Sequence, residues 1–145
     1  MSGLKVYVAG ASAEAEVVSE YIERLKGYGI DVTLDWTKDV IEQGGGNAGL
    51  ADPQRRHFAK KDLKAIAEAD ILWLIIPPFD MVSYGCWVEL GYALDTGLRI
   101  FASGDYRCSI FTSLTDSCYD FHEEALERIW REDRNARQGR LSCLK

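Results

Sequence analysis

The chain has 145 residues, 47% hydrophobic and 11% aromatic, enough for one sizeable core and too few for two. Charged residues make up 28%, with 23 acidic against 17 basic side chains and a net charge of −6, which excludes a disordered chain and speaks against a nucleic-acid partner. No apolar run approaches the roughly 18 residues of a membrane span, and the start MSGLKVYVAG lacks the pattern of a secretory leader, so no membrane partner and a cytoplasmic location are expected.

In chain order, Leu4–Ala9 is apolar, carries β-branched Val6 and Val8, and ends at Gly10, which predicts a strand running into a tight turn. Ser12 is placed to cap a helix whose apolar positions are Val18, Tyr21, Ile22 and Leu25, with Glu14 and Glu16 in its first turn and Gly27 and Gly29 as stops. Ile30–Leu34 reads as a second strand. After Asp35 and Trp36 comes a polar loop holding Gly44, Gly45, Gly46, Asn47 and Gly49, but no Lys-Ser/Thr follows the glycines, so a lid or linker fits better than a phosphate loop.

Pro53–Ala69 predicts a helix with Ala59, Leu63, Ile66 and Ala67 on one face, and with Asp62 beside it, in line with Phe58 and Ile66. Ile71–Ile76 is apolar at every position, as a strand covered on both sides must be, and Pro77 and Pro78 end it. Tyr84–Thr96 reads as a helix, Leu98–Ala102 as a strand, Tyr119–Phe121 as a short fifth strand and His122–Asp133 as the last helix. The expected organisation is one domain over residues 1–133 and a solvated, basic tail over 134–145 with Arg134, Arg137, Arg140 and Lys145. Strands alternating with helices call for a flavodoxin-like α/β fold, a parallel sheet of about five strands with helices on both faces. Ligands in such sheets bind beyond the carboxyl ends of the strands, after Ala9, Leu34, Ile76 and Ala102.

Cys86, Cys108, Cys118 and Cys143 form no CxxC pair and only His57 and His122 could join them, so free thiols are expected and no metal or other cofactor. Glu89 stands out as a lone carboxylate in YGCWVELGYAL. On a helical wheel Trp87, Leu90, Gly91 and Leu94 share one face, and Glu89 lies opposite with Gly85, Val88, Tyr92 and Ala93. A helix apolar nearly all round needs cover on both sides, by the sheet and by a lid or second subunit, so a homodimer or higher homo-oligomer is expected. A carboxylate there costs free energy unless it is protonated or paired; function is one reason to keep it, a solvated gap or an ion pair between subunits is the other. Asp62 is the second acid that can converge on the site, or else a solvated charge among Lys60, Lys61 and Lys64. Paired acids divide nucleophile and proton-transfer roles in attack on an anomeric carbon. Gly10, Ala11 and Ser12 offer backbone N–H groups to an anion or sugar hydroxyl, or form a plain capped turn. They are no GxGxxG fingerprint. Tyr7 can reach the site with its hydroxyl, and Asp35 and Trp36 can line it, unless both aromatics serve packing alone.

Three blocks in order, VYVAGAS at 6–12, KKDLKAIAEADILW at 61–73 and SYGCWVELGYAL at 83–94, resemble the nucleoside 2-deoxyribosyltransferase-like family, which includes base transferases and nucleotide N-glycoside hydrolases. The resemblance runs over most of the chain. It implies that Glu89 is the nucleophile on the sugar C1′, giving a glycosyl-enzyme intermediate, that Asp62 moves protons to or from the base, and that Tyr7 orients the glutamate. Gly10, Ala11 and Ser12 match the turn bordering the sugar, and the substrate it implies is a nucleoside or nucleotide. Where transferases often carry Asp-Ser-Gly, this chain has Ser83-Tyr84-Gly85. Serine at that place resembles the branch that hydrolyses deoxynucleoside monophosphates, in which it touches the phosphate, and Ser109 resembles a second such serine offered across a dimer. A looser resemblance, on Ser83, Cys86, Trp87 and Glu89, is to Toll/interleukin-1 receptor (TIR) domains that cleave NAD. A non-catalytic nucleotide sensor on the same fold is the alternative of a different kind.

Overall fold

The computed structural model describes residues 3–45 and 49–143. Five parallel strands, β1 (Lys5–Ala9), β2 (Asp31–Val32), β3 (Ile71–Ile75), β4 (Arg99–Ser103) and β5 (Ser117–Tyr119), form one sheet in the order β2-β1-β3-β4-β5. The helices are α1 (Ala15–Gly27), α2 (Trp36–Glu42), α3 (Asp52–Ala67), α4 (Gly85–Thr96) and α5 (His122–Cys143). This is the flavodoxin-like α/β arrangement that the alternation of strands and helices predicts. Among the described residues no helix is long and apolar enough to cross a membrane.

β3 sits in the middle of the sheet with every residue buried, which is why its sequence shows no alternation. Side chains alternate along β1, so Tyr7 and Ala9 face away from Val6 and Val8. α1 buries Ala15, Val18, Ile22 and Leu25, the stripe that helical spacing assigns to its core face. It begins later than expected: Ser12–Glu14 is a separate 3-10 turn, and the Ser12 side chain makes no cap bond.

Several elements differ from the sequence reading. β2 holds two residues, because β1 is paired beyond them by a side chain: the Trp36 indole donates to the Val8 carbonyl at 2.7 Å. The stretch after Asp35, read as loop, opens with α2, anchored by buried Trp36 and Thr37; one i, i+4 pair, Trp36 and Val40, is too little periodicity to betray a helix. Gly46 and Asn47 of the glycine-rich stretch lie outside the described residues. α3 buries Ala65 and Ile66 and half-buries Leu63, while Ala59 and Ala67 are exposed. α4 rests on Cys86, Leu90 and Ala93, with Trp87 and Leu94 only half-buried. β4 and β5 are each displaced from their expected bounds, to Arg99–Ser103 and Ser117–Tyr119.

The last helix does not stop at Asp133. It continues to Cys143 because Asp133, buried, accepts from the Leu4 backbone N–H at 2.8 Å and from the Arg137 Nε at 2.7 Å, while the Arg137 guanidinium also donates to the Gly29 carbonyl at 2.7 Å. The start of the expected tail is thus helical and held at Arg137, while Arg134, Asn135 and Gln138 stay exposed. Lys145 lies outside the described residues.

Candidate active site

At the carboxyl ends of β1 and β3, where the strand order reverses across the sheet, a cavity of ≈ 490 Å³ opens between three helices and the turn after β1. The turn after β1 contributes Gly10 and Ser12, and the start of α4 contributes Ser83, Tyr84, Gly85 and Glu89. Trp36, Asp39 and Val40 come from α2, and Arg55, Phe58, Ala59 and Asp62 from one face of α3.

Each position has a local reason. Gly10 is packed so tightly that a Cβ there would lie 2.7 Å from Val18 Cγ2, so any side chain at position 10 would force Val18 to shift. Phe58, Asp62 and Ile66 stand four apart on α3: Ile66 is buried in the core, Phe58 and Asp62 carry the same line into the cavity. Glu89 follows the buried Cys86 by three residues, which sets it on the edge of the core stripe of α4, where the core meets the cavity.

The electrostatics follow from that placement. Tyr7 is fully buried in β1, and its hydroxyl has no hydrogen-bond partner; Glu89 Oε2 is buried and equally unpartnered. The two groups lie within electrostatic reach of each other without closing a hydrogen bond. Burial pushes the Glu89 carboxyl up to about 8; the Tyr7 phenol draws it down, and the negative charge of Asp62 adds to the rise. Burial lifts the Asp62 carboxyl to about 6, with the Lys61 ammonium pulling down and Asp39 pushing up. Burial first, then Glu89 and Asp62, hold the Tyr7 phenol far above its ordinary range. Two carboxyl groups of one cavity therefore differ in proton affinity, the condition for dividing acid and base work between them.

Of the residues singled out in the sequence, the structure brings together Tyr7, Gly10, Ser12, Trp36, Asp62, Ser83, Gly85 and Glu89. Ala11 belongs to the same turn but points into the core, 1% exposed. Asp35 is not in the cavity wall: it accepts from Thr37 and pairs with Lys26 at 3.4 Å and Lys38 at 3.7 Å. Ser109 is not in the wall either; it caps the 3-10 turn Ile110–Leu114, accepting from the Phe111 N–H at 3.2 Å. Sequence reasoning missed Asp39, Val40, Arg55, Phe58 and Ala59. The 55, 58, 59, 62 spacing was there to be read as one helical face, once Asp62 was known to point at a site. A second cavity, ≈ 430 Å³, lies between α1 and α5, and its charged groups Arg24 and Glu123 satisfy each other in a two-pronged ion pair. Of its other acids, Glu124 accepts from the Phe121 N–H at 3.2 Å and Glu127 pairs with Arg131.

Residues 6–126 match the sequence pattern of the nucleoside 2-deoxyribosyltransferase family. No curated protein sequence matches the chain significantly. Among solved structures the chain is similar to the CMP N-glycosidase BcmB of Clostridium botulinum, with a TM-score of 0.51 and 21% identity over 86% of this chain and 97% of that one. It is also similar to a 3-dehydroquinate dehydratase-like protein of Bifidobacterium longum, with a TM-score of 0.45 and 12% identity over 90% of this chain and 97% of that one. The first likeness agrees in fold. The family match, covering most of the chain, supports an enzyme that cleaves or transfers N-glycosidic bonds, and this chain belongs to the nucleoside 2-deoxyribosyltransferase family.

Proposed function

We propose that the protein breaks the N-glycosidic bond of a nucleoside or nucleotide through a covalent glycosyl-enzyme intermediate on Glu89. The observation that carries this reading is the Glu89 carboxyl itself, half in the core and half in the cavity, with an unpartnered oxygen and a raised proton affinity. Near neutral pH the resting carboxyl holds its proton, and Asp62, with the lower affinity, is the nearby acceptor for it. Ionised Glu89 attacks C1′ of the sugar. The C1′–N bond breaks with its electron pair leaving on the base nitrogen, and the base takes the proton held by Asp62. Water or a second base then attacks C1′, giving up a proton to the Asp62 carboxylate, and the bond from C1′ to Glu89 breaks to restore the Glu89 carboxylate. Tyr7 is a positioning residue that favours the ionised carboxylate by directing its hydroxyl toward it.

The sugar lies against Gly10 and Ser12, with Ser83 and Gly85 at the side where a 5′-phosphate extends. Ser109 reaches a cavity only if a second copy supplies it, which makes a homo-oligomer part of this proposal. The cytoplasm is the expected setting.

Chromatographic detection of free base tests the reading, with ribo- and deoxynucleosides, their 5′-monophosphates and NAD as substrates, each with and without an acceptor base. Base release by the native protein, lost by orders of magnitude in Glu89→Gln and slowed less in Asp62→Asn, is the expected result. Full activity in Glu89→Gln overturns the mechanism. Nicotinamide release with no other base moves the protein to NAD cleavage, and binding without turnover of any substrate makes it a sensor.

A further inference from the structure

We infer that Arg55 selects the base, favouring 6-oxopurines over bases that present an amino group at the same edge. The inference rests on the proposed reaction for the orientation of the substrate. With C1′ at Glu89 and the departing nitrogen at Asp62, the face of α3 formed by Asp62, Ala59, Phe58 and Arg55 continues along the cavity and gives the base a wall to lie on. Trp36 and Val40 of α2 face the same space and give it a second apolar wall. The slot between them suits a flat ring. Seven residues separate Asp62 from Arg55, about 10 Å along the helix axis, so the long Arg55 side chain can reach back to the side of a purine on which the 6-substituent projects.

The chemistry of that meeting is one-sided. Arg55 is the only cation in the cavity wall among the described residues, and a guanidinium donates hydrogen bonds and accepts none. Guanine and hypoxanthine present two adjacent acceptors, O6 and N7, which match its fork; adenine and cytosine present an amino donor where the oxygen would be. In the free protein Arg55 pairs with Asp52, also on the surface, and such an exposed pair is worth little and is easily exchanged for a ligand. Asp39, across the cavity, is the wall carboxylate that would read an amino edge instead, and it pairs with Lys61 at 3.3 Å in an exposed ion pair of the same kind.

Calorimetric binding of guanosine, inosine and adenosine, each with and without a 5′-phosphate, to the full chain and to Arg55→Ala and Arg55→Lys tests this. The native protein is expected to hold the two oxopurines on the order of 10-fold tighter than adenosine, phosphate or not. Arg55→Ala should erase that preference while leaving adenosine affinity within a factor of about 2, and Arg55→Lys, which keeps the charge and loses the fork, should restore little of it. Equal losses for every base, or losses confined to phosphorylated ligands, overturn the inference, the latter making Arg55 a phosphate contact. The measurement needs no turnover: a base preference that persists in a protein releasing no base would sink the proposed reaction and leave this inference standing, and base release indifferent to Arg55 would do the reverse.

Discussion

A carboxyl group that is costly to ionise is the central physical fact of the cavity, and the cost is measurable apart from catalysis. Burial raises Glu89 to about 8 from an ordinary 4.5, so the folded protein binds its proton more tightly than the unfolded chain does. Below pH 4.5 both states are protonated and Glu89 costs nothing; as pH rises from there through 8 the folded state must either keep the proton or bury a charge, and stability falls. Glu89→Gln removes that penalty. The variant is therefore expected to melt progressively higher than the native protein as pH goes from 5 to 8, reaching a gap on the order of a few kcal/mol, with the gap closing toward pH 4.5. A gap independent of pH would mean that the carboxyl is solvated and ordinary. Glu89 itself was legible in the sequence because a lone acid among apolar residues is conspicuous on any helical wheel. Arg55 and Asp39 were not, because a charged residue on a polar helix face looks the same whether it meets water or a cavity.

At the scale of elements, the end of the sheet beside the site is tied by a chain of polar groups through the core. The Trp73 indole of β3 donates to Ser103 Oγ of β4 at 2.8 Å, and Ser103 Oγ lies 2.7 Å from His122 Nδ1 at the start of α5. An indole only donates, so Ser103 Oγ accepts from Trp73, and the direction of its bond with His122 Nδ1 is set by the imidazole tautomer. Burial lowers the His122 pKa, which favours the neutral imidazole. Ser103→Ala leaves the buried Trp73 N–H without its acceptor and should cost about 2 kcal/mol, seen as melting roughly 4–8 °C lower; a variant as stable as the native protein would show that the chain of bonds holds nothing together. Strands β1 and β3 were legible because continuous apolar runs bounded by glycine or proline have one reading. The displaced bounds of β4, the two-residue β2 and the helix α2 were not, since each depends on a partner distant in sequence: Ile76 donating to the Ser103 carbonyl at 2.9 Å, the Trp36 indole on Val8, and the Lys61 ion pair with Asp39. The long α5 escaped for the same reason, its end being fixed by Arg137 on Gly29.

For the whole molecule, the order β2-β1-β3-β4-β5 places the reversal of strand order between β1 and β3, and the helix that carries Glu89 starts there with its outer face bare. Phe79 is 92% exposed, Tyr84 79%, Val82 75% and Val88 65%, and Tyr84 and Val82 belong to the cavity wall. Apolar groups gathered at the mouth of a site mark a surface that another molecule covers. The proposed second copy is the occupant that also explains Ser109, which lies in a segment beyond β4 flanked by exposed Ile110 and Phe111 and does not reach the cavity of its own chain. Sedimentation at micromolar concentration should therefore show a dimer or larger assembly. Val88→Asp, which puts a charge on the outer face of α4 without touching the core stripe of Cys86, Leu90 and Ala93, should shift the protein to monomer and lower base release together. A native protein that sediments as a monomer would refute the assembly, and a monomeric variant with undiminished activity would show that the cavity of one chain is sufficient.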